Sequence, residues 1–443
     1  MLNRRVLSRR IPGAQLLRPR TLSRAFAGAA VAGGLIVVSA LPAAAVTASA
    51  PASHAVSGGA VAAAAAGMEV LGSLQYSVLN MLDVEPVWSV TRGAGVTVAV
   101  IDSGVNGNVS DLSGAVLPSQ PDYTGLKTPE SNKDWGKHGT WMASIIAGRG
   151  AEGLIGVAPA AKILSVRVIP DSTDPGYHQY DTEPEQTIQD ELAHGIRTAV
   201  NDGAKVISMS IGYSAPSGAV RAALQYADSH GAVLVASSGN SGQSDEKADH
   251  GWSPVSFPAD YPGVLSVAAV DGNGNPASFS SSNLSVQVAA PGDNVPAQGR
   301  DNQPYTVDGT SPACALVAGV AALIKSEYPA ISPAQVVEAI TDTAKQPGAG
   351  GYNVHTGFGI VDADAALTDA GHLLKEHPAH SPVSAAGHFG GGAAAVPAAP
   401  VAPRGSSQLM WFSLLAVISL VAAAGGLTAA RRTRPPRSQP WQG

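Results

Sequence analysis

The sequence predicts a doubly wound α/β domain, a mostly parallel sheet with helices on both faces, followed by a single C-terminal transmembrane helix. Three observations carry this reading. Five apolar, β-branched runs of strand length recur along the middle of the chain, and helical patterns separate them. The runs lack the polar alternation of half-exposed strands, as expected where both sheet faces are covered. Near the C-terminus a 22-residue uncharged stretch, 409–430, is followed at once by Arg431, Arg432, Arg434 and Arg437.

The 443-residue chain divides by composition. Residues 1–45 read as a signal peptide: seven Arg and no acid up to Arg24, an apolar run from Ala25 to Leu41, then the small-residue site Ala43-Ala44-Ala45. Arg4-Arg5 weakly resembles a twin-arginine signal, which leaves the export route open. Residues 46–74 are a flexible Ala/Gly/Ser-rich leader, 75–376 the folded domain, and 377–407 an Ala/Pro/Gly-rich linker. The run 408–430 is long enough to span a bilayer as a helix. The basic tail, 431–443, sets its C-terminal end in the cytoplasm. The expected product is a single-pass cell-membrane protein with its folded domain outside.

Within the domain, the strand candidates are 96–101, 161–169, 204–211, 232–238 and 264–270. Between the third and its predecessor, Ile188, Leu192, Ile196 and Val200 form a helical stripe that ends at a C-capping Gly203. Ser332-Pro333-Ala334-Gln335 reads as a capping box with proline at the first helical position.

All 33 acids lie between Glu69 and Glu376, against 15 Lys and Arg there, a net charge of −18. So acidic a domain excludes nucleic acid as a partner, because phosphate neutralisation needs basic patches. Cys314 is the only cysteine, so no intramolecular disulfide braces the exported domain.

Sites in such a fold lie at the carboxyl ends of strands, and four segments fall there. VAVIDSGV places Asp102 at the end of the first strand. KHGTWMASIIAG opens a helix with His138, and Met142, Ile145 and Ile146 turn inward. GTSPACALVAGVAALI puts Ser311 at the mouth of a long apolar helix, where a serine on its own is most often an N-cap. SSGN brings Asn240 to the end of another strand, where a lone Gly-Asn would be a turn. Together they have a chemical logic. A serine hydroxyl becomes a nucleophile when an imidazole takes its proton, and the imidazole needs a carboxylate to fix its tautomer. Ser311 is then nucleophile, His138 base and later acid, and Asp102 the orienting carboxylate. The Asn240 amide and the Ser311 N–H would meet the oxyanion. His178, His194, His230, His250 and His355 read as ordinary residues.

The order Asp, His, Ser and these boxes resemble the subtilisin-like serine proteases over roughly Gln75 to Ala366. The resemblance implies a subtilisin-like sheet and a peptide or protein substrate bound along SMSIG. There Ser210, Ile211 and Gly212 line the non-prime subsites, and Ala236, Ser237, Ser238 and Gly239 form a wall of the S1 pocket. No catalytic cofactor or metal is expected. More narrowly, GAGVTVAVIDSGV, IAGRG before GVAPAAKILSVRV, FPADYPGVLSVAAVD, the Pro/Ala linker and the basic-tailed anchor resemble the mycosins, membrane-anchored subtilases associated with type VII secretion. This resemblance implies the type VII membrane complex as a partner and no folded inhibitory prodomain. Residues 79–93 would instead pack on the protease body.

Two departures stand out. Pro312 follows the nucleophile, and Ala315 takes the place where the family has proline. Proline at the first helical position would make Ser311 the N-cap, yet a residue before proline is pushed toward extended geometry. That tension keeps an alternative in view, a structural component of a secretion machine with a vestigial protease site. The acidic run from Asp171 to Glu185 has poor spacing for a calcium loop and is expected to be a solvated insertion; a structural calcium ion is left open. Cys314 is expected to be a small buried helix residue.

Overall fold

A computed structural model describes residues 71–376, apart from 127–134, 175, 347 and 349. The predicted signal peptide, most of the leader, the linker, the 408–430 membrane run and the basic tail lie outside these residues. Among the described residues, no helix is long and apolar enough to cross a membrane.

A helix over 71–81 (α1) leads, through Asp83, into a single turn at Val84–Val87 (α2). Residues 71–74, read from sequence as the end of the leader, are already helical. Leu79, Leu82, Val84 and Val87 are buried, and the Trp88 indole donates to the Val157 carbonyl at 2.8 Å. The 79–93 stretch therefore packs on the body of the domain.

The chain then alternates: β1 (Thr97–Asp102), α3 (Lys137–Ala147), β2 (Lys162–Arg167), α4 (Tyr177–Asp181), α5 (Glu185–Asn201), β3 (Val206–Met209), α6 (Gly218–Ser229), β4 (Val233–Ser237), α7 (Asp245–His250) and β5 (Val264–Val270). Three further strands follow, β6 (Val288–Pro291), β7 (Val295–Gln298) and β8 (Pro304–Val307). Helices α8 (Thr310–Glu327), α9 (Pro333–Asp342) and α10 (Ala363–Glu376) complete it. Strands β1 to β6 form one parallel sheet in the order β2-β1-β3-β4-β5-β6, and β7 and β8 form an antiparallel hairpin. The five expected strands are β1 to β5. The sixth strand and the hairpin are additions that the sequence pattern did not reveal.

The sheet is buried on both faces. Along β1, Val98 and Val100 join the core beneath α3 and α8, whereas Ala99 and Ile101 join the core beneath α5 and α6. The two-residue period of a strand produces this split. On α5, Ile188, Leu192 and Ile196 are buried as the stripe requires. The helix closes as a Schellman motif: Gly203 N–H donates to Val200 O at 3.0 Å and Ala204 N–H to Ala199 O at 2.9 Å. Gly203 has a φ of 85°, which a residue with a β-carbon adopts at a cost. The capping box of α9 is present, with Ser332 and Gln335 exchanging bonds.

Helix α8 is buried almost along its whole length. Leu316, Val317, Val320, Leu323 and Ile324 are at most 1 % exposed. At about 1.5–3 kcal/mol for each such side chain, this helix is the anchor of the fold, and its N-terminus sits at the carboxyl edge of the sheet.

Candidate active site

Asp102 ends β1, and His138 is the second residue of α3. Two contacts hold these segments together. The Gly139 N–H donates to the Ser103 hydroxyl at 3.1 Å, and a β-carbon at position 139 would overlap the Gly104 carbonyl oxygen. Glycine after the histidine thus lets the helix start lie against the strand end. His138 Nδ1 is 2.8 Å from both carboxylate oxygens of Asp102, and the Ser103 N–H also donates to Asp102 Oδ1 at 2.6 Å. A ring nitrogen facing a carboxylate carries the proton, so the neutral imidazole keeps Nε2 as its basic atom. Trp141 meets the imidazole edge-on, with ring centroids 6.4 Å apart.

Asp102 is fully buried. Burial by itself lowers the His138 pKa. The charge of Asp102, its hydrogen bond and the charge of Asp171 outweigh that, and the net shift is upward.

Asp171 was expected in a solvated insertion, and the structure corrects that reading. Asp171 and Asp174 are buried. Asp171 accepts from the N–H groups of Lys137 at 2.7 Å and His138 at 3.0 Å. Asp174 pairs with Arg167 at 2.8 Å, and Tyr180 packs into the core. Asp171 and Asp174 are consumed by backbone donors and an arginine, whereas Asp181 and Glu183 of the same run are exposed. Among the described residues, no three His, Cys, Asp or Glu side chains gather as a metal site.

Ser311 lies in the first turn of α8, but not at its cap. Gly309 is the N-cap, Thr310 and Ser311 are the first two helical residues, and Pro312 is the third. The expected N-cap role of Ser311 is therefore replaced. Proline is tolerated there for the same reason as at the first position: the first four N–H groups of a helix have no intrahelical partner. Among the described residues, the Ser311 N–H has no hydrogen-bond partner. The Ser311 carbonyl accepts from the Ser210 hydroxyl at 3.1 Å. Ser210 follows β3 directly, and β3 is hydrogen-bonded to β1 with Met209 opposite Ile101. The Asp102 and Ser311 segments are thus joined through one neighbouring strand end.

Asn240 follows β4. Its Oδ1 accepts from both the N–H and the hydroxyl of Thr310, each at 2.9 Å. An N–H donor fixes which end of the amide is oxygen, so the NH₂ end is the one left to donate. Of the expected substrate-binding residues, Ser210 and Ile211 are buried at the end of β3, and Ala236, Ser237 and Ser238 are buried in and just past β4. Gly212 and Gly239 are half-buried and face a common neighbour, Ser256. Cys314 is fully buried, its Sγ 3.8 Å from the Ser208 hydroxyl, and burial pushes its pKa up to about 11.

Sequence reasoning missed Asp171 and Ser103. A signal for Asp171 did exist: α3 opens on Gly136, which offers no side-chain cap. For Ser103 the sequence alone held none.

The chain is similar to known proteins in sequence and in fold. The family model described as the subtilase family, Peptidase S8, matches residues 93–359. Mycosin-1 of Mycolicibacterium smegmatis is 35% identical over 328 residues, covering 65% of this chain and 72% of that protein. Mycosin-3 of Mycobacterium tuberculosis is 33% identical over 413 residues, covering 81% and 84%. Among solved structures, the crystal structure of MycP1 from the ESX-1 type VII secretion system superposes with a TM-score of 0.55 at 34% identity, over 66% of this chain and 85% of that one. With the strand-end carboxylate, the helix-borne imidazole and the matched family model all falling in one domain, the chain belongs to the subtilase family of serine proteases.

Proposed function

We propose that this protein is a serine endopeptidase that cleaves peptide bonds through an acyl-enzyme, with Ser311 as nucleophile, His138 as general base then acid, and Asp102 as the orienting carboxylate. The observation that carries the proposal is the pairing of His138 Nδ1 with both oxygens of Asp102, which leaves Nε2 basic. In the first step Nε2 takes the Ser311 hydroxyl proton as Oγ attacks the scissile carbonyl. The Asn240 amide and the Ser311 N–H donate to the developing oxyanion. The imidazolium then returns its proton to the leaving amine, and water repeats the sequence to release the acyl group. The substrate is an extended peptide running beside Ser210, Ile211 and Gly212, with its P1 side chain against residues 236–239. Purified full-length protein is expected to cleave casein. Ser311→Ala is expected to lose turnover by a factor on the order of 10⁶, and equal rates for the two would end this reading.

We further propose that 408–430 anchors the protein in the cell membrane with the protease domain on the outer face, and that its setting is a type VII secretion system. The uncharged run with its basic flank supports the first, and similarity to mycosins and to MycP1 of an ESX-1 system supports the second. Full-length protein should stay with membranes in alkaline carbonate, and a chain ending near Pro403 should not. Protection of the protease domain from external protease in intact cells would reverse the orientation.

A further inference from the structure

Helix α3 has an N-terminus that its own sequence does not cap. Gly136 offers no side chain, so the N–H groups of residues 137–139 need acceptors from elsewhere. Ser103 takes the one at Gly139. A single remote carboxylate takes the other two, one on each oxygen: Lys137 N–H to Asp171 Oδ2 at 2.7 Å and His138 N–H to Asp171 Oδ1 at 3.0 Å. Asp171 is only 8 % exposed, and it is bound to the backbone of the histidine itself.

We propose that Asp171 is a positioning residue for peptide hydrolysis, one that fixes the first turn of α3, and with it the His138 imidazole, and sets a second buried negative charge beside that ring. The inference rests on the role of His138 given above. Burial raises the Asp171 pKa, and the N–H donors of His138 and Lys137, at a helix N-terminus, oppose that rise and favour the carboxylate. It acts on the imidazolium in the same sense as Asp102, favouring the form that exists after the serine proton has been taken.

The surrounding charges are few. Asp102 faces His138 from β1 and Asp171 from the segment after β2. Lys137, on α3, extends over the Trp141 ring at 5.4 Å. Arg300, from the β7–β8 connection, faces Asp171 and lies over Trp135 at 4.1 Å. Arg167 of β2 is held by Asp122 and Asp174. Cys314, on α8, stays a neutral thiol, since burial pushes it up to about 11. Asp111 binds the chain at the far end of α3, at Arg149 and Glu152. Removing the Asp171 charge is therefore expected to reach the imidazole without a nearby carboxylate taking its place.

The test compares full-length wild type, Asp171→Asn and Asp171→Ala by pH profiles of kcat/KM, and by NMR titration of the His138 ring, assigned with His138→Ala. Asparagine keeps one acceptor and loses the charge. Its acid limb and the ring titration should both move to lower pH, with kcat reduced and KM unchanged. Alanine loses both functions and should lower kcat by roughly 10²-fold, the cost of a misplaced catalytic group. Superimposable limbs and ring titrations for wild type and Asp171→Asn would overturn the proposal, as would a rise in KM at constant kcat. The ring titration needs no turnover, so it separates a failure of this proposal from a failure of the protease assignment.

Discussion

Thr310 donates twice to Asn240, through its N–H and its hydroxyl, both at 2.9 Å from Oδ1. The pair joins the residue before the proposed nucleophile, Ser311, to the amide that would serve the oxyanion, so one side chain aims the other. Asn240→Ala is expected to lower kcat by about 10²–10³ with KM unchanged. Thr310→Val keeps the backbone donor but removes the hydroxyl, which donates to Asn240 and accepts from the Gly239 N–H at 3.3 Å, so its loss should be roughly 5–150-fold, the worth of two ordinary hydrogen bonds. Steady-state kinetics on a peptide ester measures both, and an Asn240→Ala enzyme of wild-type kcat would remove Asn240 from the mechanism.

The His138 environment sets the acid side of the pH profile. Burial lowers the ring pKa, and the charge and hydrogen bond of Asp102 together with the charge of Asp171 raise it further than burial lowers it. A general base works only when neutral, so kcat/KM falls as pH drops through the folded-state value, which lies above the ordinary 6.5. An acid limb centred above that value is expected, measured at fixed ionic strength. A midpoint below it would mean that burial dominates and that the carboxylates do not stabilise the imidazolium.

Glu191 on α5 is a separate source of pH dependence, in stability. Its Oε2 is buried with no hydrogen-bond partner among the described residues. Burial first, then Glu183 and Asp122, push its pKa from 4.5 to about 7. A folded value above the unfolded one gives stability that is fully present below about 4.5 and is lost as pH rises through about 7. Glu191→Gln should therefore raise Tm at pH 8 and not at pH 4.5, by about 2–4 °C for each kcal/mol recovered. Thermal denaturation of both proteins at the two pH values reads this, and an equal change at both would contradict it.

Much of this was legible in the sequence because it is local. The stripe Ile188, Leu192, Ile196 and the cap at Gly203 are set by helical periodicity and backbone handedness within a few residues. The run Val98 to Ile101 had to be a two-sided strand because it has no polar face. The sixth strand, Val288–Pro291, was not legible: it is four residues long, alanine-rich and closed by proline, and it becomes a strand only by pairing with β5. Asp171 was misjudged for the opposite reason. Acids in a Pro- and Asp-rich loop are usually solvated, and its two backbone partners lie on a helix more than thirty residues upstream. Pro312 also needed the structure, because its tolerance depends on α8 starting at Thr310.

If Ser311 is an activated nucleophile, a serine-directed fluorophosphonate reports it without knowledge of the substrate. Reaction of the purified full-length protein, followed by peptide mass spectrometry, should give a single covalent adduct on Ser311. The adduct should be absent from Ser311→Ala and strongly slowed in His138→Ala, since without the imidazole nothing takes the hydroxyl proton. Wild-type protein that is folded by circular dichroism and stays unlabelled at Ser311, or labels there equally fast without His138, would mean that Ser311 is not the activated nucleophile.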